Sequence, residues 1–568
     1  MLYPVTNRHR TVLSLNGIWN FQRVANDYVP VHPLAKPMPI GVPASYNELF
    51  TEAAIRDHVG CVCYETTVAL PVSFQSGTTR LRIGAAGNRA AVYADGKLLG
   101  KHTGGFLPID LEIPVAVVTR PNVRISVVLD NRLDFTTLPI GETVMENGGE
   151  KQRINHDFAN ETGIHRDVLL YSLPLQPIRD ITIRTNGHEG RSTVDYDIDS
   201  AAEAVRVTVC DPQGVVVAQG AGKSGSLFIE RPQLWDIGQG NLYTLHVQTD
   251  ADAYEQRFGI RDLEVKKDLF LLNGKPVRFQ GFGMHEDHVT VGKGSFAALN
   301  VRDFALLRWI NANSFRTSHY PYAEEMYDLA DRFGILVIDE IPAVGLNFWS
   351  PRPVFVPGTV DDATLATHQA QLTELIARDK NHPSVVMISV ANEANCQESG
   401  ATAYFKRVFD HARALTDLPL MIVETVGAEA NKVAAFADVI GLNRYIGWYT
   451  DFADLSVIRD RLRAELTEYH DRFGKPVLLT EFGADTIAGL HRLPPVAFSE
   501  EFQVEFLREY HDAISDLPFV IGEHVWNFAD FLTKQGLTRF DGNKKGVFTR
   551  DRQPKMAAHW LKEAWRER

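Results

Sequence analysis

The sequence predicts a multidomain protein of β plus α/β class, with two β domains followed by a C-terminal TIM (β/α)8 barrel. Three observations predict it. Residues 1–174 carry short alternating apolar runs broken by glycine turns, and residues 175–264 repeat that texture after a boundary marked by Pro174 and Pro177. From residue 265 onward, apolar β runs alternate with amphipathic helical stretches, the pattern of a parallel sheet with crossover helices. A chain of 568 residues has room for this, since roughly 150 residues per domain allows three or four domains.

In the first block, residues 80–83, 90–94, 98–99 and 123–129 are strand candidates, separated by Asp95-Gly96 and Gly104-Gly105. Strands and turns at that spacing make a sandwich or jelly roll. In the second block, residues 181–184, 193–198, 205–210 and 243–249 fit an immunoglobulin-like sandwich. The third block offers eight strands, at 278–282, 314–318, 335–341, 385–393, 420–425, 439–445, 477–482 and 520–526. Helical periods lie between them at 301–310, 323–333, 365–379, 403–415, 457–473 and 501–515, which reads as eight βα units. In such a barrel the active site lies at the C-terminal ends of the strands.

Composition narrows the partners. A formal net charge of −13 opposes nucleic acid and anionic membranes, and any anionic ligand requires a local cationic patch. Residues 1–11 are polar, and no apolar run reaches signal-peptide or membrane-spanning length, so the chain reads as cytoplasmic or as a trimmed mature form. Four cysteines make neither a disulfide scaffold nor a zinc framework, which fits a reducing compartment. Cys61 and Cys63, two apart in an apolar run, share one strand face and read as core.

The strand ends carry the chemistry. In order they supply His285, Glu286 and Asp287; Arg316 and His319; Asp339 and Glu340; Asn392 and Glu393; Asn443 and Tyr445; Glu481; and Trp526 and Asn527. Carboxylates and amides that fix hydroxyls, with aromatic faces that stack on sugar C–H groups, suit a carbohydrate ligand. Glycoside hydrolysis with retention needs two carboxyl groups about 5 to 5.5 Å apart. The ends of strands four and seven supply such a pair. Glu393, preceded by an amide able to bind the sugar 2-hydroxyl, reads as acid/base, and Glu481 as nucleophile. Placement selects them, since an Asn-Glu pair among 71 acidic residues is by itself more often a solvated or capping pair. His285-Glu-Asp-His288 lacks the His-Glu-x-x-His spacing and reads as a structural or sugar-contacting loop; Gly281-Phe-Gly283 and Gly292-Lys-Gly-Ser295 are incomplete as nucleotide loops. No metal or cofactor is called for.

Longer motifs go further. Leu15-Asn-Gly-Ile-Trp-Asn-Phe21, Asn160-Glu-Thr-Gly-Ile-His-Arg-Asp-Val168, Asn311-Ala-Asn-Ser-Phe-Arg-Thr-Ser-His-Tyr-Pro321, Arg378-Asp-Lys-Asn-His-Pro-Ser-Val385, Ala391-Asn-Glu393 and Thr480-Glu-Phe-Gly483 occur in that order. With them the chain resembles glycoside hydrolase family 2 along essentially its whole length. The resemblance implies a sugar-binding-like jelly roll at 1–174, an immunoglobulin-like sandwich at 175–264 and a catalytic TIM barrel at 265–568. It implies retaining, exo-acting hydrolysis of β-D-glucuronides through a covalent glycosyl-enzyme, with Glu393 and Glu481 in the roles above. Arg316 would steady the nucleophile, Tyr445 would lie beside it, Trp526 would line the sugar pocket, and Asp157 of the first domain would reach the sugar hydroxyls. In Arg539-Phe-Asp-Gly-Asn-Lys-Lys-Gly546, Asn543 and Lys545 match the family's grip on a uronate carboxylate.

A β-galacturonidase or dual uronidase is the nearest alternative. It differs by one hydroxyl, for which Arg539, Asp157 and Tyr449 are the expected neighbours. Neutral-sugar hydrolysis would leave Asn543 and Lys545 without use. A catalytically silent carbohydrate-binding protein on the same scaffold would be expected to lack one of the two carboxylates. The resemblance also implies a homo-oligomer, a dimer or tetramer. Three departures from the family pattern stand out: Cys61-Val-Cys63 in place of a tryptophan-bearing strand, Ala394-Asn395-Cys396 after the acid/base, and a compact connection at 343–361. The last, stiffened by Pro342, Pro351, Pro353 and Pro357 and bearing Trp349, predicts an open mouth that accepts large aglycones.

Overall fold

The computed structural model describes residues 1–75, 77–187 and 190–566. In the first block a six-stranded antiparallel sheet runs in the order Met38–Val42, Gly17–Arg23, Cys61–Val68, Val123–Asp130, Arg89–Ala94, Lys97–Thr103. A four-stranded sheet runs Val12–Ser14, Val168–Leu173, Thr78–Ile83, Ile109–Ile113. Period-2 alternation gives each sheet an apolar face, and Trp19, Val62, Ile125, Leu81 and Leu170 from both sheets meet in one core. Cys61 and Cys63 lie on the other face of their strand, buried with Leu34, Tyr93 and Val128.

The second block is built the same way. Ile178–Asn186, Arg191–Ser200 and Ser224–Glu230 form one sheet; Val216–Ala221, Arg206–Cys210, Leu242–Gln248 and Ala253–Gly259 form the other. Ile181, Tyr196, Val207, Leu245 and Phe258 fill the space between them.

The C-terminal block is a closed barrel of eight parallel strands. They are β1 (Phe279–Gly283), β2 (Ser314–Arg316), β3 (Leu336–Glu340), β4 (Val385–Asn392), β5 (Leu420–Glu424), β6 (Val439–Asn443), β7 (Val477–Glu481) and β8 (Val520–Val525). Each pairs in parallel with the next, and β8 closes on β1. The strands are buried on both faces, which is why they read as continuous apolar runs. Helices Ala297–Trp309, Glu324–Phe333, Asp362–Asp379, Ser399–Arg413, Ile458–Phe473 and Glu500–Ile514 fall between strands, and Met556–Ala564, which the sequence did not suggest, follows β8.

One expectation fails: β5 and β6 are joined by a single 3-10 turn, Ala434–Phe436, and not by a helix. Asn431 explains the departure, because its Oδ1 accepts from both Val433 N and Ala434 N and folds the connection back after one turn. Among the described residues no helix is long and apolar enough to cross a membrane.

Arginines dock the first block onto the barrel mouth. Arg166 donates to Glu286 Oε2 at 3.0 Å and to Pro321 O at 2.6 Å, while Arg550 reaches both Asp287 and Glu48. Of the acids after β1, Glu286 is thus spent on an interdomain contact, while Asp287 holds Arg550 in place to reach Glu48 of the first block. Ala159 N bonds Leu532 O at 3.0 Å, which carries the neighbouring Asp157 to the rim of the barrel.

Candidate active site

Arg316, at the end of β2, is fully buried. A buried guanidinium must find carboxylates, and here it has two. Its Nη1 donates to Glu340 Oε1 and Oε2 at 2.7 and 2.8 Å, and its Nη2 donates to Glu481 Oε1 at 2.5 Å. Tyr445 Oη donates to the other oxygen of Glu481 at 2.8 Å, so both oxygens of that carboxylate are fixed by different donors. Glu340 also takes hydrogen bonds from His319 Nδ1 at 2.7 Å and Ser389 Oγ at 2.6 Å. Burial alone would push the Glu340 carboxyl up, but Arg316, His319 and Ser389 together hold it below its ordinary range.

Glu393 is the first residue past β4 and has φ +54°, a left-handed conformation that a non-glycine residue adopts at a cost. Its backbone N–H bonds Val423 O of β5 at 2.9 Å. Asn443, ending β6, donates from Nδ2 to Glu393 Oε1 at 2.7 Å and to Asn392 Oδ1 at 3.2 Å, and its own Oδ1 accepts from Thr480 Oγ1 at 2.8 Å. Burial, followed by the charge of Glu481, pushes the Glu393 carboxyl up to about 8, against the opposing effects of Asn443 and Arg316. The two glutamates therefore differ sharply in surroundings: Glu481 is paired with a cation, whereas Glu393 keeps its proton at neutral pH.

The cleft has a volume of about 610 Å³, and Asp157, Asn392, Glu393, Asn443, Tyr445, Tyr449, Glu481, Trp526 and Arg539 all face it. The Trp526 ring lies nearly parallel to that of His319, with centroids 5.1 Å apart. Arg316, Asn543 and Lys545 stand behind this wall and act on it through hydrogen bonds. The fold thus brings these residues together at the barrel mouth, with Asp157 reaching it from the first block.

The cationic end is more closely balanced than the sequence suggests. Lys545 is wholly buried; its Nζ bonds Asp485 and, at 2.8 Å, Tyr449 Oη, and lies 4.7 Å from the centre of the Tyr449 ring. Arg539 donates to Asp157 from Nε at 2.9 Å and from Nη2 at 2.6 Å, and to Tyr449 Oη at 2.6 Å. Asn543 Nδ2 bonds Asp157 Oδ2 at 3.1 Å, and Asn543 Oδ1 accepts from Lys545 N. Burial would raise the Asp485 carboxyl, but Lys545 and Arg539 hold it below its ordinary value. Asp485 and the bridging role of Glu340 were missed in the sequence. A buried lysine demands a counter-ion, but that Lys545 is buried appears only in the fold, so the sequence carried no signal for Asp485.

Comparison with known proteins follows the same lines. Models of glycosyl hydrolases family 2 match three consecutive segments: the sugar binding domain over residues 12–174, the central family 2 segment over 176–261 and the TIM barrel domain over 263–567. A β-glucuronidase of Paenibacillus borealis is 46% identical across 100% of this chain and 99% of that protein. That of Rattus norvegicus is 38% identical across 100% and 92%. Among solved structures, the β-D-glucuronidase of Dictyoglomus thermophilum superposes with a TM-score of 0.97 at 44% identity, covering 100% of this chain and 99% of that one. The β-glucuronidase of Ruminococcus gnavus in complex with uronic isofagomine gives 0.96 at 36% identity, covering 100% and 98%.

Proposed function

The chain belongs to glycosyl hydrolases family 2, and from that premise we infer that it is a retaining exo-β-glucuronidase, releasing glucuronic acid and an aglycone by double displacement. Glu481 attacks the anomeric carbon while Glu393 hands its proton to the departing oxygen, so the aglycone leaves neutral. Once Glu481 is esterified its charge is gone. Glu393 is then relieved of that repulsion, ionises more readily and takes a proton from the water that attacks the glycosyl-enzyme. The observation that carries this reading is the contrast between two glutamates on one cleft, one bound to Arg316 and Tyr445, the other held protonated.

Asn392 is suited to the sugar 2-hydroxyl, since it lines the cleft and its Oδ1 is already engaged by Asn443 and Arg316, which leaves its Nδ2 to turn toward a ligand. Trp526 offers a face for the sugar ring. Asn543, Lys545 and Arg539 gather N–H donors where a C6 carboxylate would lie, with Asp157 and Tyr449 beside the hydroxyl that separates glucuronides from galacturonides. The blocks at 1–174 and 175–264 serve as a sugar-binding-like jelly roll and an immunoglobulin-like sandwich that support the barrel at 265–568.

The test is the initial rate on p-nitrophenyl β-glucuronide, galacturonide, glucoside and galactoside, with Glu481→Ala as control. Fast release from the glucuronide, lost in the variant, is expected. Preference for a neutral glycoside would overturn the carboxylate reading, and silence on all four would overturn the enzyme.

A further inference from the structure

The connection between β3 and the next helix packs Phe348 against the core and returns to it at Val354, Phe355 and Val360, but Trp349 between them turns out of the fold. Phe348 packs against the barrel core, with its ring 4.9 Å from the Arg352 guanidinium, and Arg352 is tied to Glu142 at 2.6 Å. Trp349 is 61% exposed, faces the cleft and, among the described residues, has no ring or cation packed on its indole. Its φ is +52°, a left-handed conformation that a bulky side chain adopts only when its surroundings impose it. Asn347 supplies part of that imposition, since its Oδ1 accepts from Trp349 N at 3.0 Å. A single exposed tryptophan is ordinary, but one held in a left-handed turn on the wall of a cleft calls for a reason.

Its position supplies the reason. The connection is bonded to the chain on both sides of Glu393: Asn392 N donates to Ala343 O at 3.1 Å, and Asn395 N donates to Leu346 O at 2.9 Å. Farther along, Glu398 accepts from Val354 N and Phe355 N, both at 3.0 Å. The loop is therefore rigid and registered to Glu393, the group that protonates the leaving oxygen. The aglycone lies beyond that oxygen. Resting on the glucuronidase reading above, we propose that Trp349 is the platform of the leaving-group subsite and that this subsite selects β-glucuronides of planar aromatic aglycones, which stack on the indole.

The experiment compares binding of naphthyl and methyl 1-thio-β-D-glucuronides, which resist hydrolysis, to wild type, Trp349→Ala and Trp349→Phe by titration calorimetry. Thermal melts accompany it to verify folding, and kcat/KM is measured for the matching O-glucuronides and for a glucuronyl disaccharide. Wild type should bind the naphthyl ligand about tenfold more tightly than the methyl one, the alanine variant should lose that advantage, and the phenylalanine variant should keep most of it. The kcat/KM values should follow the same pattern, with methyl glucuronide unchanged. Equal losses on both ligands, or no loss on either, would overturn the platform. A loss confined to the disaccharide would overturn the aromatic class. Failure of both thioglycosides to bind wild type would instead sink the uronide reading, and the subsite with it.

Discussion

Asn443 Nδ2 lies 2.7 Å from Glu393 Oε1 and donates to it. A hydrogen bond to a carboxylate favours the ionised form, so Asn443 opposes the burial and the Glu481 charge that raise this group to about 8. Asn443→Ala should therefore move the alkaline limb of the kcat/KM profile upward, because Glu393 stays protonated longer. It should also slow the second step, in which Glu393 must act as base. A pH series of kcat/KM checks the first effect, since that ratio reports the free enzyme. A limb that stays in place or moves down would remove Asn443 from the tuning of Glu393.

The Arg316 guanidinium is shared between Glu340 and Glu481, and Glu340 is its two-oxygen partner. Glu340→Ala strips that support and also leaves His319 and Ser389 without their acceptor. Breaking such a buried pair should destabilise the fold by about 3 kcal/mol and lower turnover, since Arg316 no longer presents Nη2 to Glu481 in one geometry. Glu340→Gln, which keeps the shape and one acceptor, should recover part of both. Denaturant melts and kcat on the glucuronide check this, and equal behaviour of the two variants would count against a positioning role.

These two relationships become visible only in the fold, although the residues that make them were legible in the sequence. The barrel strands were legible because they are buried on both faces, and an apolar run that ends in Glu, Asn or Arg is a sharp signal. Glu393, Glu481, Asn443 and Arg316 stood out for that reason. The pairing of Lys545 with Asp485 was not legible, since it joins loops after different strands and depends on how those loops close. Asp157 reaches the cleft from another domain, and only the family resemblance pointed to it. The missing helix between β5 and β6 turns on Asn431, whose side chain competes with the helical backbone for Val433 N and Ala434 N.

Lys545→Ala tests the cationic end. It removes a buried cation and leaves Asp485 without its close partner, so both stability and glucuronide turnover should fall, the latter by about 2 kcal/mol of transition-state binding or more. Lys545→Ala combined with Asp485→Ala removes the stranded charge and should recover much of the stability. It should not recover the glucuronide-to-glucoside rate ratio. That split, read from melts and from kcat/KM on both substrates, separates a charge needed by the fold from one needed by the substrate. Recovery of the ratio in the double variant would contradict carboxylate binding by Lys545.

Leaving-group dependence separates the two glutamates. Glu481→Ala should abolish turnover with the fold intact, because among the described residues no other carboxylate is bonded to both Arg316 and Tyr445. Glu393→Ala should slow poor leaving groups far more than activated aryl ones, which depart with little protonation. Rates on methyl and p-nitrophenyl glucuronides give the comparison, and equal losses on the two would contradict the acid role.

A carboxyl whose proton is held to about pH 8 must also destabilise the fold over a defined range. Glu393 has an ordinary value of 4.5 and is raised in the folded protein, chiefly by burial and then by Glu481. Between these two values the unfolded chain releases the proton while the folded one keeps it, so the unfolded state binds fewer protons and stability falls as pH rises. Glu393→Gln removes this titration. Its melting temperature relative to wild type should therefore climb from about pH 4.5 to about pH 8 and level off above, while turnover of poor leaving groups is lost at every pH. A difference that is flat across that window would show that Glu393 is not held protonated by the fold, and the assignment of the acid would have to rest on leaving-group dependence alone.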